Sequence, residues 1–170
     1  ADLDWVVHMD IPKKSSWLVH RCGRAGRNGR EGSSLLLLTP SQAAYVNYIK
    51  DHEHLKMEER KVKTLTDLKS EQLREKIVEW ASKDREILEH GTAAYISWLK
   101  AQTTHDAWIV CKVKELDVVG HAHAFGLLRL PKVKELLERD TSAFKRADVD
   151  TSSVPYLNDK LEAKRKEEKS

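Results

Sequence analysis

The sequence predicts an α/β segment followed by a small all-α region and a mixed-charge tail. Three observations carry that fold class. Two short apolar runs, Trp5-Val6-Val7 and Leu35-Leu36-Leu37-Leu38, bracket a helical stretch within the first 56 residues. From Leu73 onward apolar residues recur in steps of three and four, as on helices packing into a bundle. Beyond Asp140 the apolar pattern fades, and the chain ends rich in lysine and glutamate. The expected organisation is an α/β segment over 1–56, a linker over 57–67, a helical region over 68–140, and an extended segment with a charged tail over 141–170.

In chain order, the first strand is expected over residues 4–9 and closes at Pro12. Lys13-Lys14-Ser15-Ser16 reads as a loop whose serines can cap a helix running from Ser16. Gly26, Asn28, Gly29 and Gly32 release that helix into a second strand over 33–39, whose four leucines predict burial on both faces. Ala43, Ala44, Val46, Tyr48 and Ile49 mark the next helix, and the α/β segment should finish near Leu55. In the helical region, Leu73, Ile77, Trp80, Ala81 and Leu88 form one stripe with Asp84 as its polar intrusion. Gly91 predicts a break, since glycine inside a helix costs about 1 kcal/mol relative to alanine. Asp106 is expected to cap a helix striped by Ile109, Val110, Val113 and Leu116. Val118, Val119, Ala122, Phe125 and Leu128 predict another, and Val133, Leu136 and Leu137 a short last one. Trp80, Trp98 and Trp108 at helical spacing among Ile and Leu read as core rather than as platforms for bases.

Composition narrows function mostly by exclusion. Thirty basic against 27 acidic residues leave a net charge of +3, too little to imply nucleic acid without a local patch. Cys22 and Cys111 have no framework spacing, which fits a reducing compartment. No apolar run approaches a membrane span and no signal-peptide pattern opens the chain, so no membrane partner is expected. Asp51-His52-Glu53-His54 and the pair His121, His123 place neighbours on different sides of a helix, so no metal ligand is assigned.

The local patch is His20-Arg21-Cys22-Gly23-Arg24-Ala25-Gly26-Arg27, with Arg30 close behind. Four arginines between Arg21 and Arg30 point to a phosphate or nucleic-acid site. On a helix continuing through the motif, His20, Arg24 and Arg27 share one face and Leu18, Cys22 and Ala25 a roughly opposite one. A disordered Gly/Arg tail would lack the apolar flanks present here. Arginines serving only the helix dipole would contribute about 0.3–1 kcal/mol each.

His-Arg-x-Gly-Arg-x-Gly-Arg, with Asp4-Trp5-Val6-Val7-His8-Met9-Asp10-Ile11-Pro12 before it, resembles the last helicase motif of the DEAD-box ATP-dependent RNA helicases. The resemblance implies that residues 1–56 are the end of a second RecA-like domain. It makes Arg24 and Arg27 the catalytic arginine fingers, reaching the γ-phosphate of ATP held by another domain. His20 and Arg21, with Gly23 and Gly26, support the motif and its contact with that domain. ATP and Mg2+ are the implied cofactors, the metal being ligated elsewhere than in this chain. Ala124-Phe125-Gly126-Leu127-Leu128-Arg129-Leu130-Pro131-Lys132, with Lys114-Glu115-Leu116-Asp117, resembles the C-terminal extension of the branch acting in large-ribosomal-subunit assembly, the type named as a suppressor of poly(A)-binding-protein loss. That branch implies precursor ribosomal RNA, pre-60S assembly factors and large-subunit ribosomal proteins as partners, and a nuclear, nucleolar location. Two strands do not make an independently stable parallel sheet. The sequence is therefore expected to be a C-terminal piece of a longer polypeptide, inactive toward ATP alone. A docking module that binds RNA or protein, its arginines idle, is the competing expectation.

Overall fold

The computed structural model describes residues 3–26, 29–61 and 67–168. They form a mostly helical chain with one small parallel sheet, grouped in two compact units. The first unit combines Ala1–Lys61 with Ala101–Leu116; the second combines Val62–Lys100 with Asp117–Ser170. The sequence boundaries placed 101–116 wholly with the helical region, whereas these residues are folded among those of the α/β segment.

In the first unit, β1 (Trp5–His8) pairs in parallel with β2 (Ser33–Leu36), Trp5 opposite Ser33 and His8 opposite Leu36. The connection is α1 (Ser15–Cys22), and α2 (Tyr45–Glu53) follows a 3-10 turn at Pro40–Gln42. Ile11, Leu18, Tyr45, Ile49 and Ala107 are buried together, with Leu36, Leu38, Val110 and Cys111 packed against them. Each large apolar side chain in such a core contributes roughly 1.5–3 kcal/mol. Leu35 to Leu38 are half-buried, not covered on both faces as expected. The sheet of the described residues has two strands, and Leu3, Trp5, Val7 and Met9 on one side of β1 stand exposed. The predicted serine cap is also corrected. Lys14 occupies the cap position and makes no side-chain cap hydrogen bond, while the Ser15 hydroxyl donates to Glu53 Oε1 at 2.5 Å.

The second unit is built on α3 (Asp67–Lys83) and α4 (Arg85–Thr103), which turn at Asp84. Asp84 Oδ1 accepts the Glu86 amide at 3.0 Å, so the polar intrusion of the sequence stripe is the start signal of a new helix. Gly91, expected to break the helix, lies inside α4. A Cβ there would sit 2.6 Å from the Phe125 carbonyl oxygen, so the glycine serves a close backbone approach. α5 (Val118–Ala124) is capped by Asp117, whose Oδ1 accepts from the Gly120 amide at 2.8 Å. The Phe125 to Pro131 stretch then leaves α5 and buries Leu127 and Leu128. Val133–Leu137 forms only a 3-10 turn, at Lys134–Leu136. Tyr95, Leu99, Val118, Ala122, Leu128 and Val154 are buried, and the Tyr95 hydroxyl donates to the Val118 carbonyl at 2.9 Å. Burial pushes the Tyr95 phenol up to about 12.

The tail is tied down. Arg85 donates from Nε to the Val154 carbonyl at 2.7 Å and from Nη2 to those of Thr151 and Ser152 at 2.9 and 3.0 Å. α6 (Asp159–Glu167) follows, capped by Asn158. An Arg165 hydrogen bond and the Tyr156 amide hold the Glu162 carboxyl down to about 2.

The tryptophans depart from expectation. Trp98 is half-buried, stacked between Tyr95 at 5.8 Å and His121 at 4.0 Å. Trp80 is 54 % exposed and Trp108 67 %. Their spacing matched a core stripe, yet Trp80 stands outward on α3 between Lys76 and Lys83, and Trp108 sits in a turn. The helix predicted over Ile109–Leu116 is replaced by turns and a 3-10 segment at Val113–Glu115.

Candidate functional site

α1 presents the arginine motif at its C-terminal end. Leu18, buried at 1 % exposure, anchors the helix, and Arg21 points from its last turn to solvent. The helix stops at Cys22; Gly23 is its C-cap, with its amide donating to the Val19 carbonyl at 3.0 Å. Arg24 therefore lies in the turn beyond the helix, not on the shared face the spacing predicted. Two glycines within four residues explain the stop, since glycine disfavours helix continuation. Arg24 is exposed, and its Nε donates back to the His20 carbonyl at 3.3 Å. His20 is exposed as well. Arg27 lies outside the described residues.

Gly26 sets the direction of the loop. Its φ is +66°, and a Cβ there would lie 2.8 Å from the Gly32 nitrogen and 2.9 Å from the Arg30 carbonyl oxygen. Its amide donates to the Leu3 carbonyl at 3.2 Å, and Leu3 forms an isolated parallel bridge with Ala25. The motif is thus sewn to the chain just before β1, a tie that glycine alone accommodates.

Beneath the motif lies a polar cluster that sequence reasoning missed. His8 Nε2 is 2.9 Å from Ser34 Oγ, and Cys22 Sγ is 3.1 Å from the same hydroxyl, so β1, β2 and the end of α1 meet at one small network. Burial, then the Arg21 guanidinium, pulls the His8 pKa below its ordinary value. A neutral imidazole there leaves the arginines as the fixed charges of the site. The alternation of β1 could have placed His8 inward, but nothing in the sequence paired it with Ser34.

The exposed fork at Arg24 has the chemistry of an anion contact: permanently charged, planar, and able to offer two parallel N–H donors to phosphate or carboxylate oxygens. For Mg2+, no group of three or more His, Cys, Asp or Glu side chains gathers among the described residues, and no ligand is assigned to it here. No helix of the described residues is long and apolar enough to cross a membrane.

Comparisons with known proteins define the class. Residues 84–133 match the family described as "ATP-dependent rRNA helicase SPB4-like, C-terminal extension". The chain is similar to a Caenorhabditis briggsae protein named "Probable ATP-dependent RNA helicase DDX55 homolog", at 47 % identity over 97 % of this chain and 29 % of that protein. It is similar to "ATP-dependent RNA helicase DDX55" of Xenopus laevis, at 34 % over 96 % of the chain and 27 % of the relative. The mouse protein of that name gives 32 %, over 98 % and 27 %. These findings support a C-terminal extension of the SPB4-like, DDX55 ATP-dependent RNA helicase family. The chain spans less than a third of the length of the curated relatives it matches. The family match covers α4, α5 and the Phe125 to Pro131 stretch, which contributes the buried Leu127 and Leu128 to the second unit.

Proposed function

We propose that this chain is part of a DEAD-box ATP-dependent RNA helicase, in which residues 1–56 end a RecA-like domain and Arg24 and Arg27 contact the γ-phosphate of ATP bound by another domain. The observation that carries this reading is Arg24, an exposed guanidinium held just past the end of α1 within the His20 to Arg27 motif. Transition-state charge on a transferring phosphoryl group is where such a group contributes most, roughly 10³–10⁵ in rate for fingers of P-loop GTPases. An exposed ion pair contributes about 0–1 kcal/mol. The activity is ATP hydrolysis coupled to local opening or remodelling of RNA duplexes. The description of the matching family, which speaks of rRNA helicases, favours precursor ribosomal RNA as the substrate. We place its action in large-subunit assembly, among assembly factors and ribosomal proteins in the nucleolus, as the resemblance of the Ala124 to Lys132 stretch implies.

The test is Arg24→Ala and Arg27→Ala, singly, in the full-length protein. RNA-stimulated ATPase should fall by roughly 10²-fold or more while RNA binding persists. Undiminished hydrolysis in both variants would sink the proposal.

A second reading concerns the extension itself. Trp80 is exposed on α3, and Lys69, Lys76 and Lys83 repeat every seven residues along the neighbouring stripe. Lys83 is ion-paired with Glu79, and Glu75 stands on the acidic flank, so the face is mixed. A stacking residue among lysines nevertheless suits an RNA strand. The docking role accompanies the enzymatic one rather than replacing it.

A further inference from the structure

The segment 101–116 lies more than 70 residues downstream of the arginine motif, yet it folds within the same unit. Its contacts converge on the start of α1. Asp106 Oδ2 accepts the Ser15 amide at 3.0 Å, and the Asp106 amide donates to the Lys13 carbonyl at 3.0 Å. A side-chain acceptor is thus supplied to the first residue of a helix whose own cap residue, Lys14, makes no side-chain cap hydrogen bond. The carboxylate also complements the positive end of the helix dipole. Gln102 Nε2 donates to Asp10 Oδ2 at 2.9 Å, while Asp10 Oδ1 accepts the Ile11 amide at 2.7 Å, which fixes the turn leaving β1. Gln102, His105 and Ala107 are all buried, and His105 Nδ1 accepts the Ala107 amide at 3.1 Å, so the loop is rigidly shaped before it meets α1. His105 also packs edge-on against the buried Tyr45 of α2, at 6.2 Å between rings.

α1 is eight residues long, about 12 Å. Its start is held by Asp106 and its end carries the turn of Arg24. A rigid rod this short passes a shift at one end to the other. We propose that Asp106 and Gln102 are positioning residues for the arginine motif: residues 101–116 seat α1, and through it set where the Arg24 guanidinium stands. The inference rests on the reading of Arg24 as a phosphate-contacting group. It adds that a segment outside the motif controls the accuracy of that contact.

The experiment uses the full-length protein with Asp106→Ala, Asp106→Asn and Gln102→Ala, and Trp108→Ala as an exposed control on the same segment. Measured are kcat and KM for ATP in RNA-stimulated hydrolysis, well below each thermal midpoint, and hydrogen exchange of the α1 amides. Asp106→Ala should lower kcat roughly 10- to 100-fold, as misplacement of a catalytic group by about 1 Å does, with KM changed much less, and should speed exchange from Ser15 to Leu18. Asp106→Asn keeps an acceptor for the Ser15 amide and should restore most of kcat. Gln102→Ala should show a smaller loss, and Trp108→Ala none. Unchanged α1 exchange in Asp106→Ala overturns the proposal whatever the activity. So does wild-type kcat in that variant, or a loss in Asp106→Asn as large as in Asp106→Ala. Failure of the underlying reading looks different: Arg24→Ala keeps full activity while Asp106→Ala still loosens α1.

Discussion

Burial outweighs the carboxylates of Asp106 and Asp10 and the carbonyls of Ile11 and Pro12, and holds the His105 pKa below the ordinary 6.5. The same sign applies to His8, through burial and then Arg21, and to His123, through burial and then Arg74 and Lys145. All three therefore take up protons more readily unfolded than folded, and their stabilising contribution is complete only above the unfolded value. It is lost as pH falls from about 6.5 toward the depressed folded pKa values. The thermal midpoint is expected to drop as pH goes from 7.5 to 5.5, and His105→Gln should flatten that slope. A midpoint rising on acidification would contradict the sign. Two of these groups also accept main-chain amides, His105 Nδ1 from Ala107 and His123 Nε2 from Lys145 at 3.1 Å, so protonation removes a bond as well, and at His105 it adds a buried charge.

At the scale of elements, α4 shows how tertiary contact overrides propensity. An alanine at Gly91 would ordinarily favour the helix by about 1 kcal/mol. Here its Cβ would meet the Phe125 carbonyl at 2.6 Å, backbone that cannot swing aside as a flexible side chain does. Gly91→Ala is expected to destabilise the chain by about 1–3 kcal/mol, read as a lower midpoint in urea denaturation, and a stabilised variant would refute the close approach. α1 makes the complementary point. Its end comes at Cys22, earlier than the release expected from Gly26 onward, because Gly23 caps it, and its start is satisfied by Asp106, 91 residues away. A helix boundary can thus be written in distant sequence. α3 repeats the lesson for faces. Its apolar stripe is real, yet Leu73 and Trp80 are exposed and Ala81 is buried, and it is Ile77 that meets Gly126 of the Phe125 to Pro131 stretch.

At the scale of the whole molecule, 30 basic residues are matched by 27 acidic ones, so general attraction to a polyanion is weak and any RNA affinity rests on local stripes. If Lys69, Lys76 and Lys83 supply the phosphate contacts, the logarithm of affinity for single-stranded RNA should fall with that of salt at a slope of about −2. Trp80→Ala should cost about 1–3 kcal/mol of that affinity through lost stacking, with little change in thermal stability because the ring is more than half exposed. Fluorescence anisotropy over a range of salt concentrations measures both. A slope several times steeper, or an indifferent Trp80 variant, would locate the RNA contacts elsewhere.

What sequence alone could determine was whatever depends on neighbours along the chain. The two strands, the helix between them, α2 and α5 follow from periodicity and local termination signals, and the Arg24 motif was visible as a cluster of residue types, whereas the stretch read as a charged tail carries α6. Three-dimensional packing decided the remainder: that Asp106 serves α1 instead of a helix of its own, that Gly91 is tolerated inside α4, that His8 meets Ser34, and that Trp80 faces solvent. Each depends on which distant segment arrives at a surface. Chain spacing fixes the faces an element offers, but only the assembled fold chooses the one that is covered.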